Sequence, residues 1–449
     1  MSWKQQGKYW SRPLDCHDRF FQAAADMGKP LGREHYLIMG NVRLDFPSDF
    51  GMPGRLREAW KALRFRHPDI ALELHNGEKR YYPVSDERAL DDWCNSTCRI
   101  EEDARSADDL FTHKLWLSDS HATCHWIPAS SQLVLVSGHH RWDGIGQTMM
   151  LHELLSELES PSSLPTTFDG EEAKNLTPTL SEVLGVSTTA WESSWEKRAD
   201  ELLGTFLEGQ PSIGLPQRGD SMALPGNTLR VEQVVSADIT AALRKAAREQ
   251  GITMTTAMHA SAIVETACAN PGSPASRFTS LAVFSLRKHC PEPFDGNLHA
   301  PSLRVTALPI NIDARAPWRD ITGVLHPIYH QSWTVGESEM LFVRMPWIEK
   351  LTMLLTPNCN APPPSEPNLN SLGVIERFLN PYYGSIAVED FSIMGQMLSP
   401  QLYVHCWSWN GKLHMSASFN EAYYTAEYVD EWLAAVRRNL TNNLGVTEK

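Results

Sequence analysis

The chain has 449 residues, a formal net charge of −14, 42% hydrophobic residues and 21% charged residues. Because one hydrophobic core stops growing beyond roughly 250 to 300 residues, this length predicts two domains. The acidic balance argues against a nucleic-acid partner, since such affinity comes largely from Lys and Arg on phosphates, but it leaves room for a small basic pocket that binds an anionic cofactor.

The cysteine pattern and the chain start predict a cytoplasmic protein. Eight cysteines are scattered without the dense spacing of a disulfide scaffold, so we expect them reduced and mostly buried. The first residues carry no apolar core of about 7 to 15 residues, as a secretory signal would. No stretch approaches the roughly 18 continuous apolar residues of a membrane span, so no membrane contact is expected.

Near the start, Leu56, Trp60 and Leu63 stand at helical spacing, and Pro68 follows as a helix breaker. This pattern predicts a helix that stops at Arg66-His67 and a strand around residues 70–74. Further on, residues 131–138 read SQLVLVSG, which is apolar on both faces and typical of a buried central strand. A helical stripe of apolar residues begins at Ile145.

In the rest of the chain, predicted helices and strands alternate with polar loop segments. Residues 156–190 and 208–228 are polar and rich in Pro, Gly and Ser, with a helical interlude at 191–207. The later predicted elements are a strand at 229–235, a helix with Ser236 as N-cap, a helix at 252–269, a strand at 303–313, a proline-rich loop at 358–370, a strand at 412–424 and a closing helix at 428–440. Strands and helices mixed in two halves predict an α/β or α+β fold.

The stretch Ser137–Gly144, SGHHRWDG, lies on the turn between the buried strand and the following helix. A histidine in such a turn is held rigidly near the positive end of a helix dipole, which disfavours imidazolium. His139 could therefore stay neutral at physiological pH and take a proton from an attacking alcohol or amine. Asp143 could cap the helix or pair with an arginine, and Gly144 removes bulk where a substrate approaches.

Two other interpretations of this motif compete. Taken alone, its spacing also suits a structural histidine and a helix-capping aspartate, with Arg141 and Trp142 as solvation and packing groups. The second alternative is a metal site. Adjacent histidines at a strand end point to opposite sides, which argues against this alternative. Its possible ligands are His139, His140, Asp143, His121, Cys124 and His125. The sequence carries no nucleotide-binding glycine motif and no serine-hydrolase elbow.

The motif and five further landmarks, in order, resemble those of the chloramphenicol-acetyltransferase-like acyltransferases, the superfamily of BAHD enzymes and nonribosomal peptide condensation domains. Within it the pattern resembles most the fungal trichothecene O-acetyltransferases, especially the 15-O-acetyltransferase type. The core H-x-x-x-D-G is His139, Asp143 and Gly144, with His140 beside it. The five landmarks lie at 56–68, 239–263, 284–290, 370–398 and 412–424, so that the resemblance spans nearly the whole chain.

The resemblance implies roles for individual residues. His139 would be the general base that deprotonates a substrate hydroxyl, and His140 would matter less. Asp143 would be structural and face Arg287, and we expect a buried ion pair between them that joins the turn to the second domain. Asn297, in the segment FDGN, weakly matches a segment near the coenzyme A site. A second signature is only partly matched, at residues 390–395.

The resemblance also implies the architecture. It predicts two similar chloramphenicol-acetyltransferase-like domains, at 1–185 and 229–449, joined by a linker at 186–228. Part of 370–410 would cross over to the N-terminal domain. The active site would lie in a tunnel between the domains, which acyl-CoA enters from one face and the acceptor from the other.

The leading hypothesis for function is an acyl-CoA-dependent O-acyltransferase, of acetyl groups above all, acting on a hydroxyl of a terpenoid or polyketide secondary metabolite. It would work as a monomer with acetyl-CoA as co-substrate and without a metal. A free-standing condensation-type enzyme that uses a carrier-protein thioester is the second hypothesis. The third is a non-acylating relative that steers a cyclisation.

Overall fold

The computed structural model of the chain describes residues 2–186, 191–219, 223–331, 340–355 and 363–447. The chain forms two compact units. The N-terminal unit comprises Met1–Trp191, Ser285–Val305 and Glu376–Ile393, and the C-terminal unit comprises Glu192–Phe284, Thr306–Ile375 and Met394–Lys449. The tunnel expected between the domains stays a prediction.

The units differ in one segment from the domain boundaries expected from the sequence. Ser285–Val305 falls within the predicted C-terminal domain, yet it belongs to the N-terminal unit. Glu376–Ile393, inside the stretch for which a crossover is predicted, also belongs to that unit. Within the predicted linker, residues 187–190 and 220–222 lie outside the described residues, and 193–208 form a helix of the C-terminal unit.

The described residues form a mixed α/β structure, as the sequence predicts. The strands are β1 Lys4–Gln6, β2 Tyr9–Pro13, β3 Ile38–Asp45, β4 Leu72–His75, β5 Glu78–Tyr81, β6 Cys98–Ile100, β7 Thr123–Ile127, β8 Gln132–Ser137, β9 Thr228–Val235, β10 Arg277–Ser285, β11 Val305–Asp313, β12 Asn368–Val374, β13 Tyr382–Tyr383, β14 Ile386–Gly395, β15 Tyr403–Trp409 and β16 Lys412–Asn420. The helices are α1 Cys16–Asp26, α2 Met52–Arg66, α3 Glu87–Thr97, α4 Ala107–His113, α5 Gly144–Glu159, α6 Leu180–Val183, α7 Ser193–Glu208, α8 Ala237–Glu249, α9 Met254–Ala269, α10 Trp318–Tyr329, α11 Met340–Leu354 and α12 Ala426–Asn443.

The main sheet of the N-terminal unit has six strands in the order β13-β14-β3-β8-β7-β6. β8 pairs antiparallel with β3 on one side and with β7 on the other. Leu133, Val134, Leu135 and Val136 of β8 are at most 2% exposed, which confirms the predicted buried central strand. The chain leaves this strand through the motif turn and enters α5, whose apolar residues are buried.

The main sheet of the C-terminal unit has four strands in the order β12-β15-β16-β9. β16 lies between β15 and β9 and is antiparallel to both. Its alternate residues Leu413, Met415, Ala417 and Phe419 enter a large apolar core, together with residues of α9 and α12. Period-2 side-chain alternation is thus what places β16 against this core.

Several element boundaries differ from those predicted. The first helix ends at Arg66 as expected, but Pro68–Ala71 form a 3₁₀ turn and the strand begins only at Leu72, because the fixed φ of proline suits a helical turn start. Of the predicted loop, 358–362 lie outside the described residues and 368–370 begin β12. Ser236 does stand at the N-cap of α8, without a side-chain capping bond.

The described cysteines are free thiols, as the sequence predicts, and of these Cys268 is exposed while the rest are buried. The predicted thiol at Cys359 lies outside the described residues. Among the helices that the structure describes, none combines the length and the apolar character needed to cross a bilayer.

Candidate active site

The motif turn is fixed to the start of α5 by Asp143. This residue is the N-cap of the helix, and its Oδ1 accepts a hydrogen bond of 2.7 Å from the backbone N–H of Gly146. Backbone N–H groups in the first turn of a helix have no partner within the helix, and an aspartate cap satisfies one of them. The capping role foreseen for Asp143 is confirmed.

Asp143 also forms the predicted ion pair with Arg287. Nη2 of Arg287 lies 3.2 Å from Oδ1 and 3.4 Å from Oδ2 of Asp143, and both side chains are buried. Oδ2 accepts a second bond, of 2.8 Å, from the backbone N–H of Arg304. Both carboxylate oxygens are therefore occupied by donors of the protein, and Asp143 is not placed to act on a substrate.

The pair lies inside the N-terminal unit, which corrects the expectation that it ties the turn to the second domain. Arg287 belongs to Ser285–Val305, the segment that forms part of this unit. Its Nη2 also donates to the carbonyls of Ala300 and Ser302, both at 3.1 Å. One arginine thus joins the helix cap to the backbone of a segment that is more than 140 positions away in the sequence.

Gly146 provides the space for this arrangement. A Cβ atom at that position would lie 2.5 Å from the carbonyl oxygen of Ala300 and 2.6 Å from Nη2 of Arg287. Neither distance is possible without movement of the backbone or of the ion pair. The glycine that the geometry requires is thus Gly146, whereas Gly144, singled out from the sequence, is half-buried as the first residue of α5.

His139 is buried and stacked. Its ring lies on that of Phe21, with centroids 3.9 Å apart and planes 11° from parallel, and 8% of the residue remains exposed. Its Nδ1 is buried without a hydrogen-bond partner. Burial lowers the pKa of His139 from 6.5 to about 4, against the opposing effects of neighbouring backbone groups and of the Asp143 charge. His139 is therefore neutral at physiological pH, as the sequence predicts.

His140 faces a different environment. A Cβ on Gly138 would lie 2.7 Å from Cε1 of His140 and 2.8 Å from Oε1 of Glu34, so the ring packs over the glycine. Nε2 of His140 lies 3.4 Å from Nη1 of Arg141. Burial, together with the charges of Arg141 and Lys79, holds the pKa of His140 well below its ordinary value.

Arg141 is not the solvated group that the sequence suggested. It is 2% exposed, and its guanidinium donates to the carbonyls of Asp69, Leu72 and Ser120 at 3.1, 2.7 and 3.0 Å. Burial lowers its pKa to about 10. The expectation failed because a five-donor guanidinium can satisfy several orphan carbonyls in a buried turn. Trp142 is fully buried, in agreement with a packing role.

The alternative metal ligands have partners of their own. His125 bonds Glu101 at 2.8 Å and Thr123 at 2.9 Å, and His121 bonds Glu73 at 3.2 Å. In the part of the chain that the structure describes, a set of three potential ligand atoms within 4.8 Å of one another occurs at residues 15–17, outside the motif. The residues proposed as metal ligands are therefore not gathered into one site.

Of the weaker landmarks, Asn297 and residues 390–393 of the second signature belong to the N-terminal unit, and residues 394–395 belong to the C-terminal unit. Asn297 is half-buried at the start of a short 3₁₀ turn, Asn297–His299, and its proposed coenzyme A contact stays a prediction. The partly matched second signature lies on β14, where Phe391 and Ile393 are each 1% exposed. Residues 391–395 are buried, which agrees with an architectural role, whereas Asp390 is half-buried.

Four residues beside the motif were not identified from the sequence: Phe21, Lys79, Gly146 and Arg304. Phe21 and Lys79 are distant in sequence, and no local pattern links them to the turn. Gly146 follows Gly144 by two positions, and a glycine in the first turn of a helix is a signal of close approach that could have been used. Arg304 contributes its backbone N–H, which carries no sequence signature.

The chain is similar to known fungal acetyltransferases. The family described as 15-O-acetyltransferase Tri3 matches residues 120–284, which include the motif. Two relatives from Monascus ruber are similar over nearly the whole chain. The acetyltransferase pigO is 28% identical, covering 100% of this chain and 99% of its own, and the O-acetyltransferase pigM is 29% identical, covering 99% and 88%.

A solved structure shows the same fold. The trichothecene 15-O-acetyltransferase TRI3 from Fusarium sporotrichioides superposes with a TM-score of 0.82 at 17% identity, covering 98% of this chain and 96% of that one. The chain is therefore an enzyme of the O-acetyltransferase class, and within the chloramphenicol-acetyltransferase-like acyltransferases it is similar to the fungal trichothecene 15-O-acetyltransferase type.

Proposed function

We propose that the protein transfers an acetyl group from acetyl-CoA to a hydroxyl of a fungal terpenoid or polyketide metabolite, with His139 as general base. The observation that carries the proposal is the state of His139: neutral, held by a stacked ring and a capped turn, and still partly exposed. A fixed, neutral imidazole is what proton removal from an alcohol requires.

His139 would act through Nε2, since Nδ1 is buried. As the hydroxyl oxygen attacks the thioester carbonyl, the imidazole takes the hydroxyl proton and a tetrahedral intermediate forms. The C–S bond then breaks, and the imidazolium returns the proton to the leaving thiolate, so that the products are an ester and free coenzyme A. The negative charge that develops on the intermediate stabilises the imidazolium, which burial alone would disfavour.

Asp143 and Arg287 support this chemistry by holding the turn. Since Asp143 accepts bonds from Gly146, Arg304 and Arg287, it is not free to take the proton itself. It fixes the backbone that carries His139, and such rigid placement of a catalytic group is a large part of rate enhancement.

Acyl-CoA dependence is supported by the relatives named as acetyltransferases. A condensation-type enzyme would instead need a carrier-protein thioester, and a cyclase would consume no thioester. These alternatives predict different products from the same mixture.

The test is incubation of the purified chain with acetyl-CoA and a panel of fungal terpenoid and polyketide alcohols. Release of free thiol, matched by a mass increase of one acetyl group in an alcohol, supports the proposal. Turnover with an acetylated carrier protein but not with acetyl-CoA would establish the condensation-type alternative. Cyclisation of a substrate without thiol release would establish the non-acylating one.

A further inference from the structure

A cluster of buried charges lies behind the motif turn, within the N-terminal unit. Arg12, Asp18 and Lys79 are 6%, 1% and 4% exposed. Nη1 of Arg12 lies 2.6 Å from Oδ2 of Asp18, and Nζ of Lys79 lies 2.6 Å from Oδ1 of the same carboxylate. The two cations hold the pKa of Asp18 far below its ordinary value, against the opposing effect of burial.

Lys79 connects this cluster to the motif. Besides its ion pair with Asp18, its Nζ donates a hydrogen bond of 2.7 Å to the backbone carbonyl of His140. His140 follows His139 directly, so this bond fixes the peptide unit next to the proposed base. A charge-assisted bond of this length in a buried site is among the stronger hydrogen bonds of proteins.

Asp18 is also linked to His139 through the helix α1. It lies on α1, three positions before Phe21, so the two residues share a face of the helix. Phe21 is the residue whose ring stacks on His139. The start of α1 is further fixed by a capping box between Asp15 and Asp18. One helix thus carries both the carboxylate that holds Lys79 and the ring that covers His139.

We propose that Lys79 is a positioning residue for His139, which it holds by linking α1 to the carbonyl of His140. This inference rests on the proposed function, in which His139 is the base. Arg12 already forms an ion pair with the Asp18 carboxylate. What Lys79 adds is a charged hydrogen bond from α1's partner to the backbone of the turn, made by an ammonium group whose burial lowers its pKa.

The test compares Lys79→Met with Lys79→Arg, which keeps a charged donor, and with Lys79→Gln in case the methionine variant does not fold. Lys61→Met is the matched control, because Lys61 also forms ion pairs, with Asp91 and Glu58, but on α2 and away from the turn. Far-UV circular dichroism and thermal unfolding establish that each variant is folded.

We expect Lys79→Met or Lys79→Gln to lower kcat for acetyl transfer roughly 10- to 100-fold, within the range that misplaced catalytic groups lose, with KM for acetyl-CoA changed less than about twofold. Lys79→Arg should recover part of the loss, and Lys61→Met should be unaffected. In a His139→Ala background, removal of Lys79 should cause no further loss, because it acts through His139. Unchanged kcat, or an equal loss in both backgrounds, would overturn the proposal.

A second readout does not depend on activity. The imidazole signal of His139, assigned by its disappearance in His139→Ala, is followed by NMR in protein with labelled histidines. Loss of Lys79 should shift this signal and raise the pKa of the ring toward 6.5, whereas Lys61→Met should not. If His139→Ala remains fully active, the proposed function fails, and this signal alone then decides whether Lys79 positions the ring: an unchanged signal refutes it.

Discussion

The two units share a strand-turn-helix arrangement, but different residues hold it in each unit. In each, the central strand of a sheet runs through a short turn into a capped helix: β8 into α5, and β16 into α12. In the N-terminal unit the turn is held by Asp143 and Arg287. In the C-terminal unit the helix is capped by Thr425, and the end of the strand is held by the neutral amide of Asn420, which bonds Gly226 at 2.8 and 2.9 Å and Met397 at 2.8 Å.

The buried charged residues are also distributed unevenly between the two units. In the described part of the C-terminal unit the buried charged residues are Arg344 and Glu366. Those of the N-terminal unit are Arg12, Asp15, Asp18, Glu34, Arg64, Asp69, Lys79, Arg141, Asp143, Glu153, Glu157, Glu172, Arg287 and Arg304. Most of the buried charged residues that the structure describes therefore belong to the unit that contains the motif turn.

The largest expected effect separates the two neighbouring histidines. His139→Ala should lower acetyl transfer by roughly 10²- to 10⁴-fold, the usual contribution of general base catalysis, while the fold and coenzyme A affinity remain. His140→Ala should cost much less, because His140 acts through packing over Gly138. Steady-state kinetics and calorimetry with coenzyme A measure both. Equal losses in the two variants would show that the roles are wrongly assigned.

The pH dependence follows from the same residue. Only neutral His139 accepts a proton, and because burial lowers its pKa to about 4, the acid limb of kcat/KM should lie well below pH 6.5. Stability behaves differently: between pH 6.5 and about 4 the unfolded chain binds more protons at this residue, so the free energy of unfolding falls as the pH falls.

His259 of the C-terminal unit, with a pKa lowered by burial to about 3, should contribute to the same loss of stability without affecting the rate. Rates at each pH are therefore compared on protein that circular dichroism shows to be folded. An acid limb centred near 6.5 in folded protein would contradict a buried base.

Loss of the Asp143–Arg287 ion pair should destabilise the protein more than loss of the neutral Asn420 amide. Asp143→Asn or Arg287→Met strands a buried charge and should lower the free energy of unfolding by about 3 to 5 kcal/mol. Asn420→Ala, in the C-terminal unit, removes a neutral amide and should cost about 1 to 3 kcal/mol. Denaturant unfolding measures all three. If Asp143→Asn and Arg287→Met both unfold like the wild type, the pair does not hold the turn.

The smallest effect tests the two glycines of α5. Gly146→Ala would place a methyl group against Ala300 and Arg287 and should destabilise the protein by about 1 to 3 kcal/mol, as overpacking does. Gly144→Ala, two positions earlier, should change stability less. Thermal unfolding of both variants decides between them, and equal shifts would show that Gly146 is not specifically required.

The sequence by itself determined the strand, the turn and the helix around the motif, because hydrophobic period and capping residues are local signals. The resemblance also predicted the partner Arg287, across more than 140 positions. Residues such as Phe21 and Lys79 could not be found in this way. Their contacts with His139 and with the carbonyl of His140 exist only because tertiary folding brings α1 and β5 to the turn, and a backbone carbonyl leaves no trace in the sequence.

Burial was likewise decided by the tertiary structure. The sequence suggested a solvated Arg141 and a helix dipole as the reason for a neutral His139, whereas the fold buries both side chains and burial lowers both pKa values. The fold also places Ser285–Val305 in the N-terminal unit, whereas the sequence predicted it in the C-terminal domain. Each of these outcomes depends on which distant segments exclude water from a given side chain, and only the packed chain fixes that.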